Sequence, residues 1–492
     1  MTNSIPLDGT VFWLDEAMAV DDQPACPALV GSTSADVCIV GGGYLGLWTA
    51  IEILEQAPDT RVALIEAQAC GFGASGRNGG HATGWHDELD VLIKHFGVDE
   101  GLRLAAQSSW AIDRVIDVCG QYGIDARIRR HGMVKAAVTP MQVGKWRAAV
   151  DACNAHGRGE LYVEVDGDEL RRRSGSPMPL AGTVQTDGAT LQPAILARGL
   201  RRVALQLGAQ IYESTPMAGL DRGSPCRVRT QAGSVTAGQV VLAIGAWMGR
   251  VRELRRAFVP IGSSMIVTEQ LGRRLTDRPF AEGQGFGDHR MSVHHMQVTT
   301  DGRLAFGRGG GPLGRAGQVG PAVMYDPRSM RSIVRDFRRW FPDLADAKIE
   351  YAWSGPVDRA PSHLPVLGKL NDAGTVHYAT GISGNGVAPC AYLGRVLGRT
   401  VLGMRDADTQ SPLTRGPGEY LLPEPLRSIG GAAVRAAVEG IEDAQERGLA
   451  VNLNPVLKRL ISTTTPRALE PRLWGGSRSH GSGDLASSGN RE

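Results

Sequence analysis

The chain has 492 residues, 42% hydrophobic and 21% charged, with a formal net charge of +2. That length exceeds one simple core and suits two intertwined domains with a tail, at ~100–200 residues per domain. The near-neutral balance argues against a nucleic-acid partner or an anionic membrane surface, and the seven cysteines show neither C-x-x-C nor metal-ligand spacing, so no metal is expected and a reduced cytoplasm fits best.

Asp8, Asp15 and Glu16 precede any apolar run, so neither a signal peptide nor a membrane span is expected. Residues 1–32 read as an irregular surface leader anchored by Phe12 and Trp13. Residues 35–40 read as a buried parallel strand. Gly41, Gly43 and Gly46 follow at once in G-x-G-x-x-G spacing and open a helix to about residue 55. Gly41 permits the tight turn, Gly43 lets backbone N–H groups approach a pyrophosphate, and Gly46 lets the helix pack closely on the strand, its N-terminus facing the phosphates. A second strand, 62–65, delivers Glu66, twenty positions after Gly46. A dinucleotide-binding unit places the acid that accepts from the ribose hydroxyls roughly there, about 20 residues on. Strand, glycines, helix, strand and acid in this order outweigh a purely structural glycine turn.

An NAD-binding domain would next enter a crossover helix, but residues 71–80, GFGASGRNGG, have no helical period and read as a loop. Its backbone could run beside an extended ligand, with Ser75, Arg77 and Asn78 as donors to phosphate or ring oxygens; the alternative is a flexible surface turn. Helical spacing over 87–96 and 100–122 begins a second domain. A strand at 131–138, a helix at 140–156 and an amphipathic helix within 187–207, with Pro193 in its first turn, come next. Residues 239–247 read as a buried strand closed by Ala243, Ile244, Gly245 and Ala246, whose small side chains allow close approach to a cofactor. Strands are expected near 259–269, 291–298 and 303–307, with a covering helix at 326–340. His294 and His295 are adjacent on one of these strands, so one should face the pocket and the other away; each is either a satisfied structural histidine or a base or steering group. Gly309, Gly311 and Gly314 repeat the G-x-G-x-x-G spacing, but Pro312 interrupts it and no periodic helix or acid follows. Without a second nucleotide site, electrons should come from an organic substrate rather than NAD(P)H. A strand at 376–380 runs into GISGNGVAP and a helix to about 402. A helical segment near 432–447 and a Ser, Gly, Arg and Pro-rich tail from 462, expected to be mobile, complete the chain.

The stretches GGGYLGL, Glu66 and GASGRNGG resemble the FAD-binding N-terminus of the D-amino-acid-oxidase-like flavoproteins, which include glycine oxidase, sarcosine oxidase and gamma-glutamylputrescine oxidase. The likeness recurs in DGATLQPAILARGLRR from Asp187, VVLAIGAW from Val240 and HYATGISGNGVAPCAYLGRVL from His377, and covers roughly 33–405. It implies an α/β fold: a discontinuous Rossmann-like FAD-binding domain with an α+β substrate domain on an antiparallel or mixed sheet. The implied division is a leader (1–32), FAD-binding pieces (33–85, 185–250, 350–405), substrate-domain pieces (86–184, 251–349), a helical extension (406–461) and the tail (462–492). The resemblance implies FAD contacts from Gly41, Gly43, Tyr44, Leu45, Gly46, Glu66, Ala67, Ser75, Arg77, Asn78, Gly79, Gly80 and His81, a strand over 209–216 that passes the adenine end with Met217 in contact there, and contacts from Ala243 and Gly245. It places Gly384, Asn385, Gly386, Val387 and Ala388 at a helix opening beside the flavin edge where negative charge develops. Related sarcosine and dimethylglycine dehydrogenases carry a flavin-linked histidine near the position of His81, but their surrounding motif differs, so FAD is expected to be non-covalent.

The implied reaction is oxidation of an amine C–N bond to an imine that hydrolyses, with His294, His295, Met265 and Trp353 bounding the pocket and oxygen or another acceptor taking the electrons. A dehydrogenase serving a quinone or carrier protein, and a non-catalytic FAD-binding scaffold, stay open. Glycine-oxidase-like relatives hold the substrate α-carboxylate with an arginine in W-x-G-x-R-P. Here Val357 stands at that place, Asp358 would repel a carboxylate, and Arg359 lies two residues on, facing the same side as Val357. The expectation is an amine without a free α-carboxylate, unless Arg359 substitutes.

Overall fold

The computed structural model describes residues 5–6, 8–447 and 449; the tail from 462 lies outside them. Its first sheet has eight strands. Val366–Lys369, Val376–Thr380, Gly233–Leu242, Gly31–Val40, Val62–Ile65 and Gln210–Tyr212 lie side by side, and a short hairpin branches from Gly233–Leu242. The central pairings are all parallel. Alternation sorts the side chains: Val37, Ile39, Val62 and Leu64 pack under the helices Tyr44–Gln56, Pro193–Gln206 and Pro389–Val401, while Cys38, Val40, Ala63 and Ile65 pack on the opposite face with Val228, Leu242 and Phe258. That period-two division is why a short apolar run could be read as a doubly covered parallel strand.

The second sheet also has eight strands, in the order Ile349–Arg359, Val259–Thr268, Leu304–Arg308, His294–Val298, Gly285–Asp288, Met133–Ala137, Ala181–Gln185 and Tyr162–Asp166. It is mixed, antiparallel except where Gly285–Asp288 runs parallel to Met133–Ala137. Helix Pro327–Trp340, capped by the Asp326 carboxylate on the Ser329 N–H, buries Met330, Ile333, Phe337 and Trp340 against Ile266, Phe286, Met296 and Phe306 on one face. The other face turns towards the first sheet.

Several elements depart from expectation. The leader holds a helix, Phe12–Val20, whose Phe12 and Trp13 are buried; the aromatic anchor was legible, but the short helix has too little periodicity to announce itself. The helix expected over 140–156 spans only Arg147–Ala155, since Gly144 adopts a positive φ of 83° ahead of it. The strand expected at 209–216 ends at Tyr212, before Ser214 at φ 50°. The C-terminal helix begins at Leu426, before the segment expected to be helical. Among the described residues all seven cysteines are free, and no helix is long and apolar enough to cross a membrane.

Candidate active site

A cavity of about 1740 Å³ runs between the two sheets, larger than the roughly 300–1,000 Å³ usual for a single small ligand. At one end the parallel strands deliver Gly41, Gly43, Tyr44, Leu45, Glu66 and Ala67 to its wall, with Met217, Ala243 and Gly245 nearby. The glycines are sterically required. A Cβ on Gly41, at φ 112°, would lie 2.4 Å from the Ala243 carbonyl oxygen, and one on Gly46 would lie 1.9 Å from the Gly41 carbonyl oxygen. One on Gly43 would lie 2.9 Å from Ser75 Oγ, the atom that accepts the Tyr44 N–H at 2.9 Å. Gly46 packs helix on strand and does not itself line the cavity. The Glu66 carboxylate accepts the N–H groups of Gly42 at 2.7 Å and Gln68 at 2.9 Å, which aims it across the helix start. Burial pushes its pKa up.

The loop over residues 71–80 lines the cavity through Ser75, Arg77, Asn78 and Gly79, but two expected donors are otherwise engaged. Arg77 donates Nε to the Phe72 carbonyl at 2.8 Å and Nη1 to that of Ser354 at 3.3 Å, and burial lowers its pKa to about 10. Asn78 donates to the carbonyls of Ala74 and Ser75 and accepts the Gly80 N–H at 2.7 Å. Both shape the loop. Gly80, at φ 69°, would place a Cβ 2.1 Å from the Leu191 carbonyl oxygen and does not line the cavity.

The adjacent histidines divide as alternation requires. His295 lines the cavity, its ring against Gly307 and Gly79, where added Cβ atoms would sit 2.1 Å and 2.5 Å away, and 5.9 Å from the His81 ring. Burial lowers His295 to about 4 and His81 to about 3, so both are neutral at neutral pH. His294 points the other way and is fully buried, between Asp288 at 2.7 Å and Asp336 at 3.1 Å. Met265 and Trp353, cross-strand partners, are also buried away from the cavity; Trp353 Nε1 donates to the Arg77 carbonyl at 3.0 Å. The pocket thus receives only His295 of the four expected side chains. The other three faced a parity that register alone decides.

Strand Val376–Thr380 leads into the loop of Gly384, Asn385, Gly386 and Val387, all on the cavity wall. The helix starts only at Pro389, with Ala388 as its cap and off the wall, so the loop and not a helical turn faces the cavity. The N–H groups of Gly384, Gly386 and Val387 meet no acceptor among the described residues, and Asn385 Oδ1 accepts the Thr83 hydroxyl at 3.1 Å. Beside the loop, Val357 and Arg359 face the cavity from one side of strand Ile349–Arg359. Asp358 also borders the cavity, with its carboxylate accepting the Gly381 N–H at 2.7 Å and the Thr380 hydroxyl at 3.2 Å; burial pushes its pKa up. Arg359 has no carboxylate within ion-pair distance among the described residues, and burial lowers its pKa to about 10, with Glu88 opposing the shift.

A parallel sheet with a glycine cradle, an acid at the end of its second strand and unpaired N–H donors across a shared cavity defines a dinucleotide-dependent oxidoreductase. The chain belongs to the FAD dependent oxidoreductase (DAO) family, whose model matches residues 36–400. It is 29% identical over 411 residues to the gamma-glutamylputrescine oxidoreductase of Escherichia coli, covering 82% of this chain and 92% of that one. It is 27% identical over 388 residues to a probable oxidoreductase, OrdL, of Haemophilus influenzae, covering 77% of this chain and 85% of that one. Its fold superposes on glycine oxidase from Geobacillus kaustophilus with a TM-score of 0.63 at 20% identity, covering 77% of this chain and 98% of that one. The cofactor is accordingly FAD, and the Gly43 cradle, the Glu66 carboxylate and the free loop N–H groups fit its pyrophosphate, ribose and ring edge.

Sequence reasoning overlooked the opposite wall: Trp85, Asp87, Glu88, Lys135 and Tyr162, with Lys135 bound to Asp87 at 2.5 Å. These come from three separate segments with no common motif. It also overlooked the wall formed by the C-terminal helix, whose only signal was the Gly430–Gly431 pair inside a helical period.

Proposed function

We propose that the protein oxidises a C–N bond of a small amine to an imine, which hydrolyses to a carbonyl product, with non-covalently held FAD. The observation that carries the reading is His295, held neutral by burial, facing the same cavity as the free N–H donors of the 384–387 loop. Bound FAD supplies a two-electron acceptor that oxygen or another acceptor restores. The protein contributes three things. Burial that holds His295 uncharged also disfavours an ammonium group in the same cavity, so a substrate nitrogen is held in its neutral, reducing form, with its proton left to solvent, and the neutral imidazole of His295 steers that nitrogen by a hydrogen bond. The loop N–H groups stabilise negative charge on the ring edge they face. Arg359, which has no carboxylate within ion-pair distance among the described residues although Glu88 favours its charge, receives an anionic group on the substrate, since a planar guanidinium matches a carboxylate. This takes up the alternative left open by the sequence, that Arg359 substitutes for the arginine missing at Val357.

The test supplies the FAD-loaded enzyme with primary and secondary amines, with and without a carboxylate, and with the matched alcohols, and measures carbonyl product. Carbonyl from the amines and none from the alcohols is expected, and Arg359→Met should raise KM at least tenfold for carboxylate-bearing amines only. Product from alcohols alone would overturn the reading.

A further inference from the structure

The cavity does not end at the cofactor-binding segments. Helix Leu426–Glu446, beyond the stretch matched by the family, turns two rows at i, i+4 spacing into it: Leu426, Gly430, Val434 and Val438 in one, Arg427, Gly431, Arg435 and Glu439 in the other. Neighbouring i, i+4 residues share a helix face, so the wall is a property of the helix.

The helix is firmly placed. At its C-terminal end Glu442, buried, accepts the Ser292 N–H at 2.9 Å and lies 3.6 Å from Arg308. Glu446 pairs with both Arg290 and Arg339. At its N-terminal end Arg427 binds Glu424 at 2.6 Å. Two adjacent glycines in a helix interior each cost about 1 kcal/mol relative to alanine. Gly431 has a steric reason, since a Cβ there would lie 2.5 Å from Leu313 Cδ1.

That contact completes an apolar path. A Cβ on Gly384 would meet Val357 at 3.6 Å; Val357 pairs with Ile261 across the sheet; Ile261 bridges to Leu313; and Leu313 meets the helix at Gly431. The path leads outward from the loop beside the reacting centre to a mouth where Tyr420, Leu422 and Leu426, each more than half exposed, line the same cavity. Exposed apolar clusters of this kind mark binding surfaces.

We infer that the C-terminal helix and Leu313 form a groove for a long apolar arm of the amine substrate, running from the reacting nitrogen to the mouth. This rests on the amine-oxidation reading and names the substrate class within it. Val434 and Val438 are the specificity-determining residues of the groove.

The test titrates the FAD-loaded enzyme anaerobically with n-alkylamines and with N-alkylglycines, from methyl to octyl, following the flavin spectrum. Binding should tighten about 4-fold per methylene in at least one series, the factor for burying one CH2 group. The slope should collapse towards one in Val438→Glu and fall in Val434→Ser. Because the slope is read within each variant, an overall loss of affinity does not imitate the effect. Affinity independent of chain length, or a slope unchanged in both variants, overturns the groove. Association with anionic or neutral vesicles without chain-length dependence assigns the rim to a lipid surface and also overturns it. Bleaching of the flavin reports C–N oxidation separately: a slope without bleaching refutes the reaction and not the groove, and bleaching without a slope does the reverse.

Discussion

Gly43 tests the pyrophosphate cradle most sharply. A Cβ there already crowds Ser75 Oγ at 2.9 Å, and a branched side chain would fill the space that the phosphates need, so Gly43→Val should purify folded with little or no FAD. Flavin content equal to wild type would place the phosphates elsewhere. The histidines predict a pH dependence. Burial holds His81 and His295 below the usual value of 6.5, so the unfolded chain binds more protons and stability falls as pH drops from about 6.5 towards 4. For His295 this amounts to roughly 2–3 kcal/mol by pH 4. Denaturant unfolding of His295→Gln against wild type should show a shallower acid loss, and parallel curves would contradict it. His294 acts in the opposite sense: held charged by Asp288 and Asp336, its pKa raised despite burial, it contributes stability that is lost as pH rises through that value. At this scale sequence reading recovered residue types well and orientation poorly. That one of two adjacent histidines meets the cavity followed from strand alternation; which one depended on register, and whether Arg77 and Asn78 met a ligand or their own loop depended on neighbours such as Phe72 and Ser354.

The elements divide by how local their causes are. Strand Val62–Ile65 falls at the residues expected because apolar run and terminal acid are adjacent in sequence. The helix to about 402 is also found, as Pro389–Val401, but the opening expected at 384–388 is not helical: Pro389 suits a first helical turn, and Gly384, at φ 93°, belongs to a loop. The loop has the larger claim on the chemistry, because its unpaired N–H groups and not those of the helix start lie on the cavity wall. Gly384→Ala forces a side chain into the left-handed region at about 1–2 kcal/mol and should shift these donors, giving a more negative flavin midpoint potential and slower reduction by substrate with FAD still bound. An unchanged potential in a folded, flavin-loaded variant would remove the loop from charge stabilisation. The C-terminal helix was legible only as a helix. Its anchors, Ser292, Arg308 and Arg290, lie far away in sequence.

At the scale of the whole molecule the chain crosses repeatedly between a parallel and a mixed sheet and builds its cavity where they face each other. The parallel sheet was readable because glycine spacing, helix and acid must recur in fixed order to hold a dinucleotide. The mixed sheet was readable only as a succession of strands: strand Ile349–Arg359 pairs with Val259–Thr268 across some ninety residues of chain, and no local pattern encodes that. Its consequence for function is large, since this pairing sets Val357, Asp358 and Arg359 on the same cavity wall as the 384–387 loop. The most direct measurement is an anaerobic titration of the FAD-loaded protein with carboxylate-bearing secondary amines, recording flavin absorbance and carbonyl product together. One flavin reduced per carbonyl formed is the predicted result. A flavin that stays oxidised with every amine, yet is reduced normally by dithionite, would contradict it.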